Sequence, residues 1–290
     1  MVSAQHPPAS TGKVYLVGAG PGAADLLTVR AARLLASADV VLHDALVGGE
    51  ILALASRAEL IDVGKRCAGA ACAQAFIVRQ LVECARRHRV VLRLKGGDPM
   101  LFGRAQEEID ALREAGIAFE VVPGVTAALA AAAQLECPLT VRGLSRSVSF
   151  VTPRLGAGQA GSDWLRAAAG ADTAAIYMAG RQLAEVAGAL IAAGVPARRP
   201  AVVIANASLP QAAWRVTHLS ALRDGGWGDD AGRRGAAPGG AGLPGAAPDG
   251  GDAPTLLLVG EALASPACVP GVPPAAAAGW ARRAALNRAA

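Results

Sequence analysis

A chain of 290 residues with 53% apolar and 18% charged residues excludes global disorder and leaves room for one large domain or two ordinary ones. The net charge of +5 favours an anionic partner, but aromatics at 3% and the lack of any lysine- or arginine-dense run argue against nucleic acid. Cys67, Cys72, Cys84, Cys137 and Cys268 form no CxxC pair and have no histidine placed to complete a metal site, so disulfides and metal are not expected and a cytoplasmic setting is.

Residues 1–12 lack the apolar core of a signal peptide and read as a disordered lead-in. Glycines and charges interrupt every later apolar stretch before it reaches bilayer length. From Lys13 onward the pattern alternates. Val14–Val17 reads as a strand and Asp25–Ala36 as a helix with Leu27, Leu34 and Leu35 on one face. Val40–Leu42 and Leu60–Val63 follow as strands, then a helix over Gln74–Arg87 carrying Ile77, Leu81 and Val82. A strand at Val90–Leu94, a helix from Ala105 to Ala115 and a strand at Phe119–Val122 complete the first series. Such β-α repetition predicts a mainly parallel sheet covered by helices, a first α/β domain over 13–122.

Pro123-Gly124 breaks the pattern, and Thr126–Leu135 reads as an alanine-rich helix capped by Thr126. A second α/β domain, 123–264, holds strands at Val148–Thr152, Thr173–Tyr177, Ala201–Ile204 and Thr255–Val259, with a helix at Leu183–Ala193. Within it, 225–254 is rich in Gly, Ala, Pro and Asp, has no periodicity and reads as a flexible insertion. Residues 265–290 read as a tail.

Two loops carry chemistry. The segment VVLRLKGGDPMLFGR, Val90 to Arg104, runs a buried strand into Gly96 and Gly97, which let the backbone approach a ligand or adopt positive φ. Asp98 is held extended by Pro99. The carboxyl end of a buried strand is where open α/β folds bind ligands. The first strand leads into Gly18-Ala19-Gly20-Pro21-Gly22-Ala23, which formally fits G-x-G-x-x-A, with Asp39 or Asp44 near the distance of a ribose-binding acid. Pro21 removes an N–H from a loop meant to cradle a pyrophosphate. By itself this motif is equally a nucleotide loop or a structural turn. No GK[ST] follows, which excludes a P-loop.

Taken together, VYLVGAGPGAADLLTVRAARLLASADVVLHDALV, DVGKR, VVLRLKGGDPMLFGR and FEVVPGVTAALAAAAQLECPLTVRGLSRSVSFVT resemble the S-adenosylmethionine-dependent tetrapyrrole methylases, and among them the uroporphyrinogen-III C-methyltransferases. The resemblance runs from Lys13 to Leu263 and is densest before Thr152. It implies two α/β domains with the cofactor in the cleft between them, a homodimer, and two successive C-methylations of uroporphyrinogen III to precorrin-2, feeding siroheme or cobalamin-type tetrapyrroles. Carried over by position, Pro21, Gly96, Gly97, Asp98, Leu101, Thr126, Ala127, Met178 and Ala207 would contact S-adenosylmethionine. Asp44 and Lys65 would serve as proton acceptor and donor, with Arg104 a further catalytic candidate. Arg104, Glu107, Arg142 and Met178 would face the substrate, whose carboxylates suit bidentate arginine, with Arg66 and Arg146 assisting.

Several positions depart from the family pattern: Ala23 for an aspartate, Ala45 for an arginine, CAGAACAQAFIV after the GKR segment, Val141 for a histidine and Ala205 for a glutamate. They keep three other readings open. These are a methylase of another precorrin, a non-catalytic tetrapyrrole-binding paralogue and, from the glycine loop, an NAD(P)-linked oxidoreductase.

Overall fold

The computed structural model describes residues 12–64, 70–154, 163–225, 234–236 and 253–264. The chain divides into two compact units, Met1–Thr126 and Ala127–Ala290.

In the first unit the elements are β1 (Lys13–Gly18), α1 (Val29–Ser37), β2 (Val40–His43), α2 (Gly49–Leu52), β3 (Glu59–Asp62), α3 (Ala70–Arg87), β4 (Val90–Lys95), α4 (Ala105–Glu114) and β5 (Phe119–Val122). The five strands form one sheet in the order β3-β2-β4-β1-β5, with every pair parallel. Alternation along β4 assigns its two faces. Leu92 and Leu94 pack with Ala31 and Leu35 of α1 and Ile51 of α2. On the opposite face Val91 packs with Ile77 and Leu81 of α3 and Ile109 and Leu112 of α4. Arg93 and Lys95 share the face of Val91, where Glu108 of α4 meets both.

The helix expected over Asp25–Ala36 starts later. A short 3₁₀ turn occupies Ala24–Leu26, and α1 begins at Val29 because Thr28 is extended and its Oγ1 accepts from Ala31 N at 3.1 Å.

The second unit contains α5 (Ala127–Gln134), β6 (Val148–Val151), α6 (Trp164–Gly170), β7 (Thr173–Tyr177), α7 (Leu183–Ala192), β8 (Pro200–Ala205), β9 (Ala213–His218), α8 (Leu219–Arg223), β10 (Arg234–Ala236) and β11 (Thr255–Gly260). Its sheet runs β10-β9-β8-β11-β7-β6. Only β6 and β7 are paired parallel; the other four pairings are antiparallel. One apolar cluster joins Ile176, Val203 and Leu257 to Leu183, Val186 and Leu190 of α7. A second joins Ala128, Ala131 and Leu135 to Val202, Ile204 and Leu258.

The sequence pattern predicts neither β9 nor β10. In β9 Trp214 and Val216 pack against the apolar cluster that contains α5 and alternate with buried Arg215 and Thr217, a period-two pattern too short to stand out in the sequence. β10 lies inside the stretch read as aperiodic and pairs Arg234 with Arg215 and Ala236 with Ala213. Most of 225–254 and all of 265–290 lie outside the described residues.

Candidate active site at the carboxyl edge of the parallel sheet

Because all strands of the first sheet run the same way, the loops after β1, β2, β4 and β5 leave from one edge. The loop after β1 and the turn after β4 are joined by backbone. Gly20 N donates to Gly97 O at 3.2 Å, and Gly97 N donates to Gly20 O at 2.7 Å. Both glycines have positive φ, +72° and +66°. Below them Gly18 and Gly124 touch: a Cβ on Gly124 would sit 2.3 Å from Gly97 O and 2.9 Å from Gly18 Cα. Only glycine allows three loops to meet this closely.

Asp98 locks the arrangement. Its Oδ1 accepts from Met100 N at 2.8 Å, closing its own turn, and its Oδ2 accepts from Gly124 N at 2.9 Å, tying down the loop after β5. Asp98 therefore has a structural task, and a ligand would use the lone pairs those two bonds leave. Above the turn the space is open. A Cβ on Gly97 would meet nothing within 4 Å, and one on Gly96 only Leu46 Cβ at 3.9 Å. That glycine-lined opening fits a cofactor that must lie against backbone.

This geometry counts against the dinucleotide reading. The loop spends the Gly20 N–H on Gly97 rather than leaving it to a pyrophosphate, and no helix opens directly after it. The strand order also differs from the 3-2-1-4-5-6 of dinucleotide folds. Asp39 sits at the amino end of β2, where its Oδ2 accepts from the backbone N–H groups of Arg89 and Val90, away from the loops. It is a structural tie and no ribose ligand.

Asp44 follows β2 at the carboxyl edge, with its side chain 32% exposed. Its Oδ1 accepts from Arg93 Nη2 at 2.5 Å. Arg93, 2% exposed, also donates from Nε to Glu108 Oε1 at 3.0 Å and from Nη1 to Leu94 O at 3.1 Å. Lys95 Nζ donates to the same Glu108 Oε1 at 2.8 Å. Two cations and two carboxylates thus form one chain from the interior to Asp44. Burial, then the neighbouring Arg93 charge, pull the Lys95 ammonium below the ordinary lysine range, and Glu108 only partly offsets this. Arg93, Lys95 and Glu108 escape the sequence reading, which takes Val90–Leu94 as an apolar strand. The available signal was two cations two residues apart on one strand face, followed by a glutamate on the next helix.

Arg104 and Glu107 are brought together: Arg104 Nε and Nη2 donate to Glu107 Oε1 and Oε2 at 2.8 and 2.9 Å, a bidentate, exposed pair. Arg104 and nearby Phe102 both have φ +54°, a conformation that costs a non-glycine residue energy and gathers at functional sites. Leu101 is half-buried, Pro21 lies in the loop after β1, and Thr126 is buried after β5. Lys65 and Arg66 lie outside the described residues.

Within the second unit, β7 and β8 both pair antiparallel with β11, so they run alike and end at one edge. Met178, 44% exposed with φ +58°, follows β7, and buried Ala207 follows β8 between Asn206 and Ser208, at φ +52° and +72°. Two bonds tie this edge to α5: Ala128 N donates to Tyr177 Oη at 3.1 Å, and Ser208 N donates to Gln134 Oε1 at 2.9 Å. Ala127, Met178 and Ala207 therefore share one edge of their unit. Arg142 is exposed in the turn closed by Val141 and Ser145, and Arg146 donates its backbone N–H to Asp172.

Residues 13–223 match the family described as Tetrapyrrole (Corrin/Porphyrin) Methylases. A uroporphyrinogen-III C-methyltransferase from Synechocystis sp. is 45% identical over 203 residues, covering 69% of this chain and 77% of that protein. A siroheme synthase from Pseudomonas aeruginosa is 49% identical over 203 residues, covering 70% of this chain. The chain spans only 44% of the length of that synthase. The crystal structure of a uroporphyrin-III C-methyl transferase from Thermus thermophilus, complexed with S-adenyl homocysteine, superposes with a TM-score of 0.70 at 36% identity, covering 87% of this chain and 99% of that one. The family match over 13–223 and the identity to the Synechocystis enzyme show that the chain belongs to the tetrapyrrole methylase family.

Proposed function

We propose that this chain is an S-adenosylmethionine-dependent methyltransferase that methylates two ring carbons of uroporphyrinogen III in succession, giving precorrin-2. The observation that carries the reading is the glycine-lined opening above Gly97, built by backbone pairing with Gly20 and locked by Asp98. Family membership names the class of ligand that suits it.

S-adenosylmethionine supplies an electrophilic methyl carbon on a positively charged sulfur. Gly96, Gly97, Asp98, Leu101, Pro21, Thr126, Ala127, Met178 and Ala207 are the proposed cofactor contacts. Small side chains at Ala127 and Ala207 leave room for a flat base. As a ring carbon bonds to the methyl carbon, the sulfur keeps the electron pair of the broken bond and a proton leaves the ring. Asp44, with one oxygen fixed by Arg93, accepts that proton. Lys65 is the proposed donor. Arg104, oriented by Glu107, and Arg142 take substrate carboxylates, Met178 contributes to the substrate side, and Arg104 stands beside the reacting ring as the second catalytic candidate. We further propose a cytoplasmic homodimer. Light scattering on the purified protein, reading twice the chain mass, checks the dimer. Among the described residues no helix is long and apolar enough to cross a membrane.

Incubation with labelled S-adenosylmethionine and uroporphyrinogen III, followed by mass analysis of the oxidised product, tests the reading. Two added methyl groups are expected. No transfer to uroporphyrinogen III, with transfer to a precorrin or stabilisation by NADP instead, would contradict it.

A further inference from the structure

We propose that Arg93 is the positioning residue for Asp44: a buried guanidinium, fixed on its other sides by Glu108 and the Leu94 carbonyl, dictates which carboxylate oxygen of Asp44 is free to take a proton. This rests on the reading of Asp44 as proton acceptor.

Arg93 has no freedom to turn. Its three nitrogens each have a separate acceptor: Nε on Glu108 Oε1, Nη1 on Leu94 O and Nη2 on Asp44 Oδ1. The guanidinium is planar, so two of these contacts already determine where the third points. Its two internal acceptors are themselves held. Glu108 is fully buried on α4, and Leu94 O lies in β4 beside β2, where it also accepts from Asp44 N at 3.3 Å. Backbone and side chain of Asp44 are thus both referenced to the end of β4, from which the Gly96-Gly97 turn departs.

Charge burial makes the arrangement informative. Glu108 Oε1 serves both Arg93 and Lys95, while Glu108 Oε2 has no hydrogen-bond partner among the described residues. A single buried carboxylate facing two cations leaves the cluster short of one negative charge, and Asp44 supplies it from the surface. Exposure rises along the chain from 0% at Glu108 through 2% at Arg93 to 32% at Asp44. Of the Asp44 oxygens only Oδ1 is engaged; Oδ2 makes no hydrogen bond among the described residues. Arg93 therefore occupies one oxygen permanently and leaves the other for the substrate proton. Stability alone does not need this device, because an apolar side chain at position 93 would suit the face occupied by Val91, Ile109 and Leu112.

The test compares Arg93→Lys, Asp44→Asn and the double variant with the unaltered full-length enzyme, with S-adenosylmethionine and uroporphyrinogen III. A lysine keeps the charge but cannot serve three acceptors in one plane. Arg93→Lys should lower kcat by roughly 10²-fold, the cost of a misplaced group, with both KM values nearly unchanged, and it should add little to Asp44→Asn because the two act as one unit. Losses that multiply, or full activity of Arg93→Lys beside a crippled Asp44→Asn, would overturn the role of Arg93 while leaving Asp44 as acceptor. Full activity of Asp44→Asn, with methyl transfer intact, would overturn the reading of Asp44 and this inference with it. Should Arg93→Lys fail to fold, Asp44→Glu poses the same question, since it shifts a half-exposed carboxylate by one methylene against a fixed guanidinium. A kcat loss with unchanged KM supports the proposal; undiminished kcat overturns it.

Discussion

The two units solve the same packing problem with opposite sheets. In the first, all strands are parallel, both faces are covered by helices, and every strand end that follows the chain direction meets at one edge. In the second, four of the five pairings are antiparallel, so strand ends are divided between two edges. The buried polar groups follow the same division. The parallel unit buries Arg93, Lys95 and Glu108 beneath its loop-bearing edge, whereas among described residues the second unit buries Arg215 as its one charged group and otherwise hydroxyls such as the Ser145–Thr173 pair at 3.0 Å. The parallel sheet gathers its buried charges beneath one edge, whereas among the described residues the second sheet buries a single one.

Removing one side chain from each core should separate these two kinds of interior. Glu108→Ala leaves Arg93 and Lys95 buried without their shared carboxylate, and should cost about 3–5 kcal/mol of stability. Leu190→Ala in the second unit should cost about 2–5 kcal/mol through a cavity alone. Denaturant unfolding of both, repeated on Glu108→Ala with Lys95→Met added, sharpens the contrast: the second change should recover part of the first loss. If it recovers nothing, the four charges do not act as one cluster.

A smaller effect distinguishes architecture from ligand space within the parallel unit. Gly124→Ala forces a Cβ against Gly97 O and should cost about 1–3 kcal/mol by overpacking. Gly97→Ala meets open space, so only its left-handed backbone is penalised, by about 1–2 kcal/mol. Thermal melts should show the first variant as the less stable, while calorimetry should show Gly97→Ala losing affinity for S-adenosylhomocysteine out of proportion to its melting shift. Equal loss of affinity and stability in both would mean that the opening above Gly97 holds no ligand.

The smallest effect lies in the second unit at its exposed end. Asp172 accepts from Arg146 N, Ser147 N and Ser147 Oγ. The Arg146 backbone N–H first, then the Ser147 hydroxyl, hold its carboxyl below the ordinary aspartate value. A group lowered in the folded state stabilises it above its unfolded value and loses that contribution as pH falls through the folded value. Asp172→Asn should therefore lower the melting temperature slightly at neutral pH and leave it unchanged in strong acid. A deficit that persists in acid would refute the electrostatic origin.

Much of the edge was legible because local pattern and function coincide there. An apolar run ending in Gly96-Gly97-Asp98-Pro99 announces a strand end that tolerates a ligand, and the first series of strands follows from period and length. What escaped was set by distant partners. The contact between Gly18 and Gly124 joins the ends of neighbouring β1 and β5, far apart in sequence, and leaves no local mark. Arg93 is passed over inside an apolar strand until Glu108, fifteen residues later, is seen on the same face. Likewise β9 hides because its large apolar side chains are just Trp214 and Val216, alternating with Arg215 and Thr217, and α1 starts late because one hydroxyl, that of Thr28, outweighs the apolar pattern before it.

That the parallel unit's carboxyl edge holds the methyl donor is tested most directly by amide NMR of the full-length ¹⁵N-labelled protein during titration with S-adenosylhomocysteine. The amides of Gly20, Gly97 and Gly124, which join the three loops, should move together and saturate at one affinity. Shifts confined to the opposite edge, around Asp39 and Arg89, with those three glycines unmoved, would contradict the account.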